Sequence, residues 1–148
     1  NIDADLVPVS FGLAQSGDDL IESTQLAHAT AALYATENII NWTEAFCKET
    51  GKKLLVVLSH DTHTVRRDLL GEPRWDQSFI DFLKTKPFPF LDLRDNHLAD
   101  FNNSKLDVDA YLAQFYIGHY SPAGNFFFAN EIRRVLIDWL DPKPIPYI

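Results

Sequence analysis

The apolar positions of this chain recur with helical spacing in two long stretches. From about residue 22 to residue 50 they fall on one stripe, and Gly51 then supplies a stop signal. From residue 122 to about residue 140 they recur at intervals of three and four, with polar side chains on the opposite face. Shorter helices are predicted after the capping residues Asp76 and Asp107. The stripes consist of Leu26, Ala29, Leu33, Ile40 and Cys47 in the first long helix and of Phe128, Ile132, Val135, Leu136 and Trp139 in the last.

Three short apolar runs predict β-strands between these helices. They cover residues 6–11, 53–58 and 88–93. The second run does not alternate, as expected for a parallel strand that is covered on both faces. Strands separated by helices imply right-handed crossovers and a parallel sheet between helical layers. We therefore predict an α/β fold, a flavodoxin-like three-layer α/β/α sandwich with a parallel sheet.

The predicted sheet is thin for that architecture. Three strands leave two unpaired edges, which natural sheets avoid exposing. The chain has 148 residues, contains no methionine and opens at Asn1-Ile2-Asp3. We therefore interpret residues 1–148 as a single but incomplete domain, the C-terminal portion of a larger sandwich. Its structural partner would be the missing N-terminal part of the same domain.

Composition narrows the classes of binding partner. The formal charge is -8, and the Lys and Arg residues are scattered rather than clustered. This distribution argues against a nucleic-acid surface and gives no basic face for a membrane. No apolar run approaches the roughly 18 residues that span a bilayer. Cys47 is the only cysteine, so an internal disulfide is excluded. We expect no nucleic acid and no membrane among the partners.

One histidine stands immediately before the last predicted helix. Ser121 is a favourable N-cap, and Pro122 suits the first helical position. His119 is therefore expected on a fixed platform at the positive end of the helix dipole, which disfavours an imidazolium. A neutral imidazole can accept a proton, as a general base must. The alternative is a histidine that only closes a turn.

Polar residues follow two of the predicted strands. In parallel α/β sheets, ligands bind beyond the carboxyl ends of the strands. We expect these residues to meet His119 at one rim of the sheet, and the alternative is a set of solvated loop side chains. They are Ser59, His60, Asp61 and His63 after the second strand, and Arg94 and Asp95 after the third.

The segment Gly118-His119-Tyr120-Ser121-Pro122-Ala123-Gly124-Asn125, together with the strands and helices before it, resembles the C-terminal part of an SGNH (GDSL-like) hydrolase. The resemblance covers roughly Leu54 to Leu140. It implies ester hydrolysis by a serine nucleophile, with His119 as the catalytic base and without a cofactor. The implied substrate is a small-molecule or carbohydrate ester, with deacetylation of a carbohydrate as one form of the reaction. His119 is the one site residue that we predict.

Three features of the family pattern are missing from this chain. The family has an aspartate three residues before its histidine, where this chain has Tyr116. The Gly-Asp-Ser nucleophile motif is absent, and Ala14 and Gln15 stand in place of the Asn-Asp pair of another family block. We therefore expect the serine to lie upstream of Asn1 and the isolated chain to be a poor esterase. The orienting acid is left open among Asp61, Asp92, Asp95 and Asp107.

A metal site is a second hypothesis. His60, Asp61 and His63, with His119 or Asp92, offer the nitrogen and oxygen ligands that zinc or manganese accepts. Metal-dependent hydrolysis would then replace the serine mechanism.

A non-catalytic α/β binding module is the third hypothesis. Trp42, Trp75 and Trp139 offer aromatic side chains for a binding face. A large exposed aromatic patch would favour this interpretation.

Overall fold

The computed structural model describes residues 18–140 and 142. Six helices hold most of this part of the chain, and two short strands pair with each other. None of these helices is both long and apolar enough to cross a bilayer. In chain order the elements are α1 (Asp18–Glu49), β1 (Val56–Leu58), α2 (Thr62–Leu69), α3 (Gln77–Lys84), β2 (Phe90–Asp92), α4 (Leu93–Asn103), α5 (Val108–Phe115) and α6 (Pro122–Trp139).

The predicted three-layer, flavodoxin-like α/β/α sandwich is wrong. In the described part of the chain the sheet has two parallel strands, with Val56 opposite Phe90 and Leu58 opposite Asp92. Each strand pairs over three residues and is only partly buried, so the apolar runs are not strands covered on both faces. The predicted first strand, residues 6–11, lies outside the described residues.

The described elements form two compact units. One contains α1 and α3, which contact each other. Helix α3 buries Phe79, Ile80 and Leu83, as the sequence pattern predicts. Asp76 precedes this helix, but its side chain makes no capping hydrogen bond. Helix α1 ends at Glu49, and Gly51, two residues later, has a φ of 65°, the left-handed conformation that favours glycine.

The second unit contains both strands and the other four helices. Its core is aromatic, because α5 and α6 bring their rings together around α4. Helices α5 and α6 form where the sequence predicts them, each with its expected capping side chain, Asp107 and Ser121. The buried residues of this core are Val65, Leu93, Tyr111, Leu112, Phe115, Tyr116 and Phe128.

Candidate functional site

His119 lies in a tight turn that joins α5 to α6. The turn is closed by an antiparallel bridge between Tyr116 and Tyr120, and the Ile117 N–H donates to the His119 carbonyl at 2.7 Å. Gly118 has a φ of 88°, a backbone conformation that side chains with a Cβ rarely adopt. The turn therefore fixes the backbone on both sides of His119 before the helix begins.

Two tyrosines attach this turn to the carboxyl end of β1. The hydroxyls of Tyr116 and Tyr120 both donate to the His60 carbonyl, at 3.3 and 3.0 Å. Their ring centroids are 5.2 Å apart, and the Tyr120 hydroxyl also hydrogen-bonds the Ser59 hydroxyl. In the sequence, Tyr116 is noted only because it stands where the SGNH pattern has an aspartate. In the structure it is a buried side chain that supports the histidine turn.

The start of α6 is held equally firmly. The Ser121 hydroxyl accepts a hydrogen bond from the Gly124 N–H at 3.0 Å and donates to the Gln114 carbonyl at 2.6 Å. The Ser121 N–H also donates to the Phe115 carbonyl at 2.8 Å. The first turn of α6 thus packs directly on the last turn of α5, and His119 projects from a rigid junction.

The His119 side chain is exposed, and its Nδ1 lies 2.9 Å from the Tyr120 carbonyl oxygen. A carbonyl can only accept, so Nδ1 carries the proton in this hydrogen bond, and in the neutral form of this tautomer the lone pair is on Nε2. In the described part of the chain, no carboxylate is hydrogen-bonded to this ring. The hydrogen-bonding partner of this ring is therefore a backbone carbonyl.

The four candidate orienting acids serve other groups or lie in solvent. Asp61 caps α2 by accepting from the Thr64 N–H at 2.7 Å, and this backbone hydrogen bond lowers the pKa of Asp61. Asp107 caps α5 in the same way, accepting from the Ala110 N–H at 2.8 Å. Asp95 is exposed in the first turn of α4. Asp92 belongs to a separate cluster.

That cluster joins the carboxyl ends of the two strands. Asp92 is buried, with His60 Nε2 3.4 Å from its Oδ1 and Arg74 Nη1 2.7 Å from its Oδ2. Burial by itself would raise the pKa of Asp92, but these two side chains and the Arg94 N–H lower it to about 2. Asp92 is therefore ionised at neutral pH and links the segments that follow β1 and β2.

The structure thus brings Ser59, His60, Asp92 and Tyr120 together at one rim of the sheet. It does not assemble the metal site of the second hypothesis. Within residues 18–140 and 142, no group of three or more histidine, cysteine, aspartate or glutamate side chains is arranged to hold an ion. The Asp61 carboxylate caps α2, and Nε2 of His60 lies 3.4 Å from the Asp92 carboxylate.

A second histidine, which sequence reasoning missed, lies at the centre of the core. His97 is 1% exposed, with Nδ1 3.1 Å from the Tyr111 hydroxyl and Nε2 3.2 Å from the Tyr116 hydroxyl. Aromatic rings surround it, and burial lowers its pKa to about 4. Each ring nitrogen thus has a tyrosine hydroxyl as its hydrogen-bonding partner. His97 therefore connects α4 to α5 and to the residue that begins the His119 turn.

Comparison with protein-family models, with curated proteins and with solved structures finds no match to this chain. The residues of the site and their geometry therefore carry the functional argument.

Proposed function

We propose that this chain supplies the general base of an SGNH-like serine ester hydrolase. His119 is the base, a small-molecule or carbohydrate ester is the substrate, and the nucleophilic serine lies upstream of Asn1. One observation carries the proposal: Nδ1 of the exposed His119 ring is bound to the Tyr120 carbonyl at 2.9 Å. This bond orients the ring and leaves the Nε2 lone pair for a proton.

In the proposed reaction, Nε2 of His119 takes the proton of the serine hydroxyl as the serine oxygen attacks the ester carbonyl carbon. The resulting imidazolium gives this proton to the oxygen of the leaving alcohol, and the bond between that oxygen and the acyl carbon breaks. Water then attacks the acyl-serine while its proton passes to Nε2. Return of the proton to the serine oxygen releases the carboxylic acid and restores both groups.

The orienting group of this site differs from the carboxylate of the family pattern. A carbonyl dipole fixes the tautomer of the ring, but it stabilises the imidazolium less than a full negative charge would. The contacts of Tyr116 and Tyr120 with the His60 carbonyl hold this dipole in place. We therefore assign these tyrosines as positioning residues for His119.

The test is a His119→Ala substitution in the protein extended upstream to its natural N-terminus. Hydrolysis of p-nitrophenyl acetate should lose about 10²–10⁴-fold in kcat/KM, the usual contribution of general acid–base catalysis. His28→Ala is the control, because His28 is exposed on α1 in the other compact unit. A fluorophosphonate probe should label one upstream serine. Unchanged hydrolysis in His119→Ala, or a protein without a labelled serine, would overturn the proposal.

One observation favours the non-catalytic binding module as a second candidate. Helix α1 exposes Ile39, Trp42 and Phe46, which lie on one face at spacings of three and four residues. Their exposed fractions are 54%, 72% and 55%, so three large apolar side chains are exposed on this face of the helix. Such patches commonly mark interaction surfaces. A natural-length protein that neither hydrolyses esters nor reacts with the fluorophosphonate would favour this candidate.

A further inference from the structure

A cavity of about 410 Å³ opens beside the His119 turn. Its walls come from the first turns of α2, from one face of α5, and from Tyr116 and Gly118 of the turn itself. All these elements belong to the same compact unit. A molecule in this cavity would therefore lie next to the backbone that carries the proposed base.

The cavity contains an ion pair that remains accessible. Arg66 donates to both carboxylate oxygens of Asp109, with Nη2 3.5 Å from Oδ2. The two side chains are 40% and 75% exposed. A guanidinium has five N–H donors and a carboxylate has about four acceptor positions, so the pair retains both kinds of group for a ligand.

The other residues that line the cavity indicate which kind of ligand would fit it. Ala113 presents apolar surface from α5, with the buried Leu112 behind it, beside the hydroxyl of Thr62 and the imidazole of His63. An apolar wall next to a donor–acceptor pair matches a ring that carries hydroxyl groups on its edge and C–H groups on its face. A sugar has this distribution of polar and apolar atoms.

The charges in and around the cavity favour a neutral sugar over an acidic one. The Arg66 charge is already compensated by Asp109, and the whole chain has a formal charge of -8. An added carboxylate or phosphate would meet Asp109 directly and the field of an acidic protein around it. A hydroxyl group, in contrast, can accept from Arg66 and donate to Asp109 without adding charge.

We propose that this cavity binds a neutral sugar through Arg66 and Asp109. Binding in itself requires no catalysis. The inference rests on the proposed function only for the ester that the bound sugar would carry, which would be hydrolysed at His119.

The experiment is saturation-transfer difference NMR on the natural-length protein. The probes are cellobiose, xylobiose and N,N′-diacetylchitobiose, with glucuronate as the acidic comparison. At least one neutral disaccharide should give a saturable signal, and Asp109→Asn and Arg66→Gln should each weaken its binding at least tenfold. Glu72→Gln is the matched control, because it breaks the exposed Arg67–Glu72 pair outside the cavity lining. Thermal unfolding of each variant establishes that it is folded.

The outcomes separate this inference from the proposed reaction. His119→Ala should lose hydrolysis by the same factor of about 10²–10⁴ and retain sugar binding. The cavity assignment is overturned if no neutral disaccharide binds, if Asp109→Asn binds as well as the unmodified protein, or if glucuronate binds more tightly than every neutral probe. The proposed reaction fails separately, if hydrolysis survives in His119→Ala.

Discussion

At the scale of single residues, Gly124 has no space for a side chain. A Cβ built on it would lie 2.3 Å from the Phe115 carbonyl oxygen and 3.2 Å from the Phe115 carbonyl carbon. Both atoms belong to backbone at the end of α5, which cannot move away as a flexible side chain would. The glycine of the motif that contains His119 is therefore required for the close approach of α5 and α6.

We expect Gly124→Ala to destabilise the protein by about 1–3 kcal/mol, the usual cost of overpacking, despite the better helix propensity of alanine. Urea unfolding measures the change. Ala123→Gly, at the exposed neighbouring position, should cost only the propensity difference of about 1 kcal/mol or less. A Gly124→Ala protein that is more stable than the unmodified protein would contradict the close approach.

His97 should make stability depend on pH in a defined range. Its pKa is about 4 in the folded protein against 6.5 for an ordinary histidine, so the unfolded chain binds the extra proton first as the pH falls. The contribution of neutral His97 to the free energy of unfolding is fully present above pH 6.5 and is lost as the pH falls to 4. At about 1.4 kcal/mol per pH unit, the total loss is about 3 kcal/mol.

Urea unfolding at several values between pH 7 and pH 4 measures this slope. The His97→Phe variant should show a much smaller slope, because an uncharged ring replaces the titrating one. His28→Gln, an exposed histidine variant, should retain the slope of the unmodified protein. Equal slopes in His97→Phe and the unmodified protein would mean that His97 does not titrate as described.

The His119 turn and its capping serine are predictable from the sequence, because both depend on local backbone chemistry. The side-chain hydrogen bonds that hold the turn in place are not predictable in this way. The hydroxyls of Tyr116 and Tyr120 reach His60, which is 56 and 60 residues away in the chain. Nothing local to a tyrosine specifies which distant carbonyl its hydroxyl will reach.

At the scale of elements, hydrophobic patterning missed two helices, α2 and α4, and α4 shows the reason. Its buried residues are Leu93, Arg94 and His97, so two of the three are polar. A helix whose inner face is polar shows no apolar stripe, and periodicity alone predicts it as a loop. Helices α3, α5 and α6 were predictable because apolar side chains occupy much of their buried faces.

The polar inner face of α4 makes a specific contribution to stability. Arg94 forms an ion pair with Asp68 of α2, and the two side chains are 3% and 8% exposed. We expect Arg94→Met to cost about 3–5 kcal/mol, because Asp68 would remain buried without its cation. Chemical denaturation measures the loss.

Two comparisons test this assignment. Arg134→Met removes the exposed arginine of a pair with Glu131 and should cost about 1 kcal/mol or less. The double variant Asp68→Leu with Arg94→Met should recover part of the stability lost in Arg94→Met. An Arg94→Met protein as stable as the Arg134→Met protein would refute a structural role for the buried pair.

At the scale of the whole molecule, the order of strands and helices was partly predictable, whereas their assembly into layers was not. The apolar runs at residues 53–58 and 88–93 do form a parallel pair, in which only Val56–Leu58 and Phe90–Asp92 are strand. A short apolar run has the same sequence pattern whether it forms a central strand or a three-residue strand beside an aromatic core. The sandwich prediction took these runs as full strands, which the structure contradicts.

The tyrosine contacts with the His60 carbonyl also have a consequence for the order of folding. The carbonyl that receives both hydroxyls lies two residues beyond the end of β1. Its position follows from the pairing of β1 with β2 and from the Asp92 cluster that joins their ends. The surroundings of His119 therefore cannot reach their final form before that pairing is complete. In a refolding experiment, the imidazole signals of His119 should therefore reach their native positions no earlier than the strands pair, although the helix that follows this residue can begin by local interactions alone.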